Sequence, residues 1–283
     1  MRRVYEEMFM GVQFVKLQGN GNDFILIDEM ENDFIPEEMK ASFAMLFCDR
    51  RFGIGGDGVL FISKSESADV KMRLFQPDES EAEMCGNGIR CLARYAYDYD
   101  YIKEESTVET LAGIIPVTLG YQNEEFFATI TMPTPAFARS EIPATGTAEE
   151  DYSEMIGTYQ VYAANTGVPH AVVFVDEIGA IDPMKLGPTI RNHPSFPNGA
   201  NVNFVEKVDQ NLLRIRTFER GVEGETWSCG TGATASAAVA HKLGYVTNDC
   251  IVETKGGPLR IGLGETVTMT GPAEVVFIGM IQL

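Results

Sequence analysis

Cys85-Gly86-Asn87-Gly88-Ile89-Arg90-Cys91-Leu92-Ala93-Arg94-Tyr95-Ala96-Tyr97 and Cys229-Gly230-Thr231-Gly232-Ala233-Thr234-Ala235-Ser236-Ala237-Ala238-Val239-Ala240-His241 are two versions of one signal. Each opens Cys-Gly-x-Gly after a polar loop and runs into a small-residue stretch that predicts a helix without a clean polar stripe, and therefore a buried one. A cysteine at a helix N-terminus feels the positive end of the helix dipole, and its pKa can fall from about 8.5 to roughly 3.5–7.5. A lone cysteine of this kind would read as a small core residue. Two at equivalent helix starts read as a pair of acid–base groups. Gly-x-Gly behind each leaves the first-turn N–H groups open to an anion such as a substrate carboxylate. Cys48, Cys91 and Cys250 lack this setting.

Working outward, both flanks repeat. Arg73-Leu74-Phe75-Gln76 precedes the first motif and Arg216-Thr217-Phe218-Glu219 the second. Val108-Glu109-Thr110 and Val252-Glu253-Thr254 follow at the same offset, as do Gly113 and Gly257. More loosely, Gly21-Asn22-Asp23-Phe24 corresponds to Gly167-Val168-Pro169-His170, and the run from Gly58 to the run from Asn201. Two copies are too few for a solenoid and suit a pseudo-symmetric pair of domains. Short runs rich in Val, Ile, Phe and Thr predict strands at 13–17, 24–27, 59–62, 114–119, 126–131, 172–175, 213–217 and 267–270. Surface helices are expected at 37–48 and 183–192. The fold class is α+β, with each half a curved, mostly antiparallel sheet wrapped round its central helix. Residues 1–131 form the first half, with strand 273–283 packing on it, and 132–272 the second. Residues 141–154, with their Pro, Gly and acidic residues, read as a linker. The first ten residues read as an extension ahead of the first strand.

The chain has 283 residues and a formal net charge of −19, which argues against nucleic acid or an anionic membrane as partner. No apolar run approaches the roughly 18 residues of a membrane helix, and no secretory leader is evident, so a cytoplasmic location is expected. Five cysteines make a disulfide framework a poor reading. With three histidines and no Cys-x-x-Cys pair, no metal site is expected. Gly53-Ile54-Gly55-Gly56-Asp57-Gly58 is not a phosphate loop, since it lacks the Lys-Ser/Thr that would follow. The expected partner is a small-molecule substrate, and self-association as a homodimer is compatible with the sequence.

Other polar residues read two ways. Glu219-Arg220 is either an ordinary surface ion pair or, close before Cys229, a grip on substrate, since Arg offers a planar fork to a carboxylate and Glu can hold an ammonium. Glu225 could cap the loop or helix that follows. His170 is either a structural hydrogen bonder or part of the site wall. The Gly-Asn clusters at 19–23 and 198–201 have the composition of β-turns.

Gly21-Asn22-Asp23-Phe24, Met84-Cys85-Gly86-Asn87-Gly88 with Arg90-Cys91, and Glu219-Arg220-Gly221 leading to Cys229-Gly230-Thr231-Gly232 together resemble the diaminopimelate epimerase family, from about residue 13 to the C-terminus. Proline racemases of the same fold typically carry His where this chain has Asn87. The resemblance implies a cofactor-independent isomerase that interconverts LL- and meso-2,6-diaminopimelate, in lysine biosynthesis and, where present, peptidoglycan precursor synthesis. It implies Cys85 and Cys229 as the base and acid. It implies substrate contacts from Asn22, Gly58, Gln76, Gly86, Asn87, Asn201, Glu219, Arg220, Gly230 and Thr231, with His170 and Asn165 lining the site. Three departures bear on the distal end of the substrate. Gln76 stands where the family often has Asn, Val168 replaces the Asn of Gly-Asn-Pro-His, and the loop before Cys229 is one residue longer than usual. Another racemase or isomerase of this fold is the alternative. A non-catalytic binding module fits poorly with two retained Cys-Gly-x-Gly motifs.

Overall fold

A computed structural model of the chain describes residues 11–282, so the N-terminal extension lies outside the described residues. The chain divides into two compact units. One runs up to Ile130 and includes the segment from Pro272 onward; the other is Thr131–Gly271.

The first unit contains β1 (Gly11–Gly19), β2 (Asn22–Asp28), α1 (Lys40–Phe47), β3 (Gly58–Ser63), β4 (Val70–Phe75), β5 (Glu81–Ala82), α2 (Gly86–Asp98), β6 (Glu105–Thr110), β7 (Gly113–Gln122) and β8 (Glu125–Thr131). The second contains β9 (Ser153–Ile156), β10 (Tyr159–Asn165), β11 (Pro169–Val175), α3 (Pro183–Arg191), β12 (Asn201–Lys207), β13 (Leu212–Glu219), β14 (Gly224–Thr226), α4 (Gly230–Lys242), β15 (Asp249–Thr254), β16 (Gly257–Leu263) and β17 (Val267–Pro272). The last strand, β18 (Glu274–Gln282), pairs antiparallel with β1.

Both units follow one wiring scheme. In the first, β2 and β3 run parallel, joined by a crossover through α1, and β4 runs parallel to β6 across the crossover through α2. In the second, β11–β12 and β13–β15 are the parallel pairs, across α3 and α4. The remaining pairings within each unit are antiparallel, including β1–β2, β3–β4, β6–β7 and their counterparts. The repeated glutamates follow from this wiring. Glu109 sits beside Lys71 in the β4–β6 register and pairs with it at 3.0 Å; Glu253 sits beside Arg214 and pairs with it at 2.8 Å.

Strand alternation sorts the side chains onto two faces. Ile25, Ile27, Val59 and Phe61 join Phe43 and Ala44 of α1 in one core cluster. Ala171, Val173, Val202 and Phe204 form the matching cluster with Ile190 of α3. The opposite faces receive the central helices: α2 packs on β1–β4 and β7, and α4 on β10–β13, β15 and β16. Nine of the thirteen residues of each central helix are buried, which makes both core elements.

Two sequence expectations change. Residues 141–154 are not a linker: Ile142 and Tyr152 lie in the second unit's core, and Tyr152 packs on Phe196 at 4.7 Å between ring centroids. Helix α2 does carry a polar row, Arg90, Arg94 and Asp98, at four-residue spacing. Arg94 and Asp98 form an ion pair at 2.5 Å, whereas Arg90 is fully buried and donates to Asn20 Oδ1 at 2.7 Å and to the Pro272 carbonyl at 3.2 Å.

Candidate active site

Cys85 and Cys229 are the N-cap residues of α2 and α4, both in extended backbone conformation. Neither thiol caps its helix, so neither side chain occupies the first-turn N–H groups. The loop into each cysteine is clamped in the same way. Arg73 holds Glu81 with two hydrogen bonds of 2.6 and 2.8 Å, and Arg216 holds Glu225 with two of 2.7 and 2.9 Å. Glu225 therefore braces the hairpin from which Cys229 emerges.

The surroundings of the two thiols differ. The Cys85 thiol donates to Asn22 Oδ1 at 3.7 Å, and Asn87 Nδ2 donates to the same oxygen at 3.1 Å. Asn22 is oriented by its own amide, which donates to Asp57 at 2.6 Å. Asp57 also meets Arg50 at 2.8 Å; Arg50 meets Asp23 at 2.6 Å, and Lys16 meets Asp23 at 2.7 Å. Burial alone would raise the Asp23 pKa, but Arg50 and Lys16 outweigh it and bring it down to about 2. Arg90, within the same helix, is lowered by burial to about 10, against the opposing pull of Cys91 and Cys85, and remains a cation at neutral pH.

Beside Cys229 stands a pair of neutral hydrogen bonders. Cys229 Sγ lies 3.4 Å from Thr231 Oγ1, which lies 2.9 Å from His170 Nε2. His170 is buried, and burial, reinforced by the Arg220 charge, lowers its pKa to about 3. Gly232 is required here: a Cβ at that position would fall 2.5 Å from Asn203 Oδ1 and 3.3 Å from both Cys229 Sγ and His170 Cε1. The second glycine of the motif thus also admits the strand side chains beneath the helix.

Asn201 accepts from the Arg220 backbone N–H at 2.8 Å and donates to the Pro169 carbonyl at 3.2 Å. The Arg220 guanidinium is held by the Asn198 and Gly199 carbonyls, both at 3.2 Å. Glu219 ends β13 opposite Gly224. Gly58 opens β3 beside Phe24, where a Cβ would meet Leu74 at 2.6 Å. Gly86 and Gly230 begin the two helices. Gln76 lies exposed in the β4–β5 turn and accepts from Ser80 at 3.1 Å. Asn165 ties its loop to the Glu141 carbonyl at 2.7 Å and accepts from the Gly167 N–H at 3.0 Å. Sequence reasoning missed Asp57, Asn203, Thr217 and the depth of Arg90. Asp57 stood in a glycine-rich run with no motif to mark it. Asn201 and Asn203, two apart in a strand, carried a signal: both fall on the inward face.

Among the described residues, no group of three or more His, Cys, Asp and Glu side chains could hold a metal ion, and no helix is long and apolar enough to cross a membrane.

The chain shares its fold with solved enzymes of amino-acid epimerisation and with their structural kin. It aligns with a hydroxyproline epimerase from Agrobacterium vitis with bound trans-4-hydroxy-L-proline at TM-score 0.66 and 20% identity, covering 97% of this chain and 93% of that one. It aligns with a Bacillus anthracis phenazine biosynthesis protein of the PhzF family at TM-score 0.72 and 18% identity, covering 97% and 100%. The diaminopimelate epimerase family model matches residues 14–137 and 162–276. Curated relatives with that name include those of Methanothrix thermoacetophila, 54% identical over 96% of both chains, and Methanocella arvoryzae, 50% identical over 96% of this chain and 97% of the relative. The chain belongs to the diaminopimelate epimerase family and is an isomerase of the racemase and epimerase class.

Proposed function

We propose that the protein interconverts LL- and meso-2,6-diaminopimelate without a cofactor, using Cys85 and Cys229 as paired base and acid. The observation that carries this reading is the equivalent placement of both thiols at the N-caps of α2 and α4. One thiolate takes the α-proton, the C–H electron pair stays on the α-carbon and its carboxylate, and the other thiol delivers a proton to the opposite face. The reverse reaction exchanges their roles. The first-turn N–H groups of the two helices, from Gly86, Asn87, Gly230 and Thr231, stabilise the carboxylate as charge builds on it. Asn22, Gly58, Gln76, Asn201, Glu219 and Arg220 are proposed to grip the remainder of the substrate, with His170 and Asn165 in the surrounding wall. Arg220 suits a distal carboxylate because its carbonyl contacts already fix the plane of its fork.

This activity belongs in lysine biosynthesis, and we propose a cytoplasmic enzyme. Exposed Val276, Ile278 and Met280, alternate residues of β18, support self-association as a homodimer, which sedimentation tests. Incubation with LL-diaminopimelate in deuterium oxide, with no added cofactor, should yield the meso isomer with deuterium at the inverted α-carbon. Absence of both inversion and deuterium would overturn the reading. A second reading, another racemase of the fold, is favoured by Val168 in place of a hydrogen-bonding residue; turnover of a one-ended amino acid as fast as diaminopimelate would select it.

A further inference from the structure

The two central helices end differently. Helix α4 closes on His241 and Lys242, basic side chains that complement the negative end of its dipole. Helix α2 has no basic residue in its last turn and ends among tyrosines, with Tyr95 inside it, Tyr99 as its C-cap and Tyr101 just beyond. Against this end lies a cavity of about 380 Å³, within the roughly 300–1,000 Å³ usual for small-molecule sites. It belongs wholly to the first unit and reaches Asp28, at the opposite end of β2 from Asn22. The rings of Tyr95 and Tyr99 stack with centroids 4.3 Å apart, and Tyr101 stands 6.2 Å from Tyr99. Val15, Leu26 and Phe34 add apolar wall, and Asp28 and Glu31 bring carboxylates. Among the described residues, none of those lining the cavity is lysine, arginine or histidine; exposed Glu31 meets exposed Lys64 at 3.2 Å. Of Val276, Ile278 and Met280, the exposed face of β18, the cavity takes in Met280 alone.

Asp28 organises the polar side of this cavity. Its Oδ2 accepts from the Tyr95 and Tyr101 hydroxyls, both at 2.8 Å, and its Oδ1 accepts from the Met30 N–H at 2.8 Å. Burial, helped by the Asp28 carboxylate, raises both phenols, Tyr101 to about 12, so both keep their protons. Each phenol spends its one proton on Asp28, which leaves its oxygen as an acceptor. Ring faces, phenolic oxygens, a carboxylate and the negative end of a helix all favour a cation. The apolar wall favours an aliphatic stem. A carboxylate on the ligand would face Asp28 and Glu31 with like charge, which selects against amino acids, diaminopimelate included. We propose that this cavity binds a small aliphatic amine, as its ammonium ion, that carries no carboxylate. The site is distinct from Cys85, which opens α2 at its other end, and does not depend on the reaction assigned to the two thiols.

Isothermal titration calorimetry of the whole chain with 1,4-diaminobutane tests this, in about 0.15 M salt to screen general attraction to a chain of net charge −19. Saturable binding is expected, with a Kd below about 1 mM. The same-length probe 4-aminobutanoate, which exchanges one ammonium for a carboxylate, should bind about tenfold more weakly or worse. Asp28→Asn should weaken the diamine by about tenfold or more, since it removes the charge from the hydrogen-bonded centre. Tyr99→Leu, which removes a partly exposed ring face, should weaken it about threefold, and Tyr99→Phe should restore it. Tyr99→Leu gives the answer even if Asp28→Asn fails to fold. Cys85→Ala should bind the diamine with wild-type affinity. Absence of saturable binding, equal binding of 4-aminobutanoate, an unchanged affinity in Tyr99→Leu, or loss of binding in Cys85→Ala overturns the proposal. Epimerisation of diaminopimelate by the wild type reports separately on the two-thiol reading, which can fail while the calorimetric result stands.

Discussion

Phe24, Leu60 and Leu74 lie under the first central helix, and His170, Asn203 and Thr217 occupy the same register positions under the second. The first set is an apolar layer, with Leu60 and Phe24 both within van der Waals reach of a Cβ built on Gly88. The second is a hydrogen-bonded line that reaches the thiol through Thr231. The polar investment of the first half lies elsewhere, in the Asn22–Asp57–Arg50–Asp23–Lys16 chain on the other side of its cysteine and in buried Arg90. One scaffold thus brings a cysteine to a helix start twice and backs it differently, with an ion-paired chain behind Asn22 in one half and a neutral hydrogen-bonded line behind Thr231 in the other. The duplication preserved the strand wiring and the loop clamps, and released the inward-facing side chains.

The largest expected effect tests what the halves share. Cys85→Ala and Cys229→Ala should each reduce epimerisation of diaminopimelate by about 10²–10⁴-fold, the usual cost of losing a general acid or base, with circular dichroism unchanged. Retention of more than about a tenth of the rate in one variant would end the equivalence of the two thiols.

Next comes a residue that only the second half has. Arg220→Ala and Arg220→Lys should both lower kcat/KM for diaminopimelate by about 10–100-fold, as expected for lost hydrogen bonds to a charged group. Lys cannot reproduce the fork, so an active Arg220→Lys variant would remove the bidentate grip from the account.

A smaller effect separates the halves by pH. Folded His170 stays neutral down to about pH 3, whereas an unfolded histidine takes a proton near pH 6.5. Between these values the unfolded chain binds the extra proton, so this group's contribution to stability is complete above about pH 6.5 and is lost as pH falls toward 3. His170→Phe should flatten that part of the curve, measured as the difference in urea midpoint between pH 7.5 and pH 5. An unchanged difference would mean that His170 is not buried neutral in solution.

The smallest effects test the clamps. Glu81→Gln and Glu225→Gln should each cost about 1 kcal/mol, since these ion pairs are partly exposed, and lower the Tm by a few degrees. Equal losses would support the symmetry of the two hairpins. A loss of activity with no loss of stability in Glu225→Gln would instead give that carboxylate a direct part in the chemistry.

Much of this was readable from residues alone, for a physical reason. Local signals survive in sequence: a cysteine before Gly-x-Gly, a glutamate at a repeated offset, alternating apolar strands. Because Glu109 and Glu253 each neighbour a cation across a parallel strand pair, their offsets kept the two halves in step. What escaped was either nonlocal or sparse. Asn203 and His170 meet because β11 and β12 run parallel, although a whole helix separates them in sequence. Residues 141–154 look like a linker because Ile142 and Tyr152 are isolated among polar neighbours; their burial depends on partners such as Phe196 much further along the chain. Arg90 falls in a stretch that reads as an apolar helix; the Asn20 side chain and the Pro272 carbonyl, both from distant segments, accept from its guanidinium and help it to be tolerated there.

The pairing of β18 with β1 has a consequence for biosynthesis. Eight residue pairs join the two strands, from Gly11 with Gln282 to Gln18 with Glu274. A ribosome emits β1 well before β18, so the unit they share cannot close its sheet until β18 has emerged, whereas Thr131–Gly271 can complete its own strand pairings earlier. Until then β1 offers an open edge for mispairing with other nascent chains. Order of emergence and order of completion are therefore reversed, and a message truncated near codon 271 would leave the older half, not the younger, unfinished.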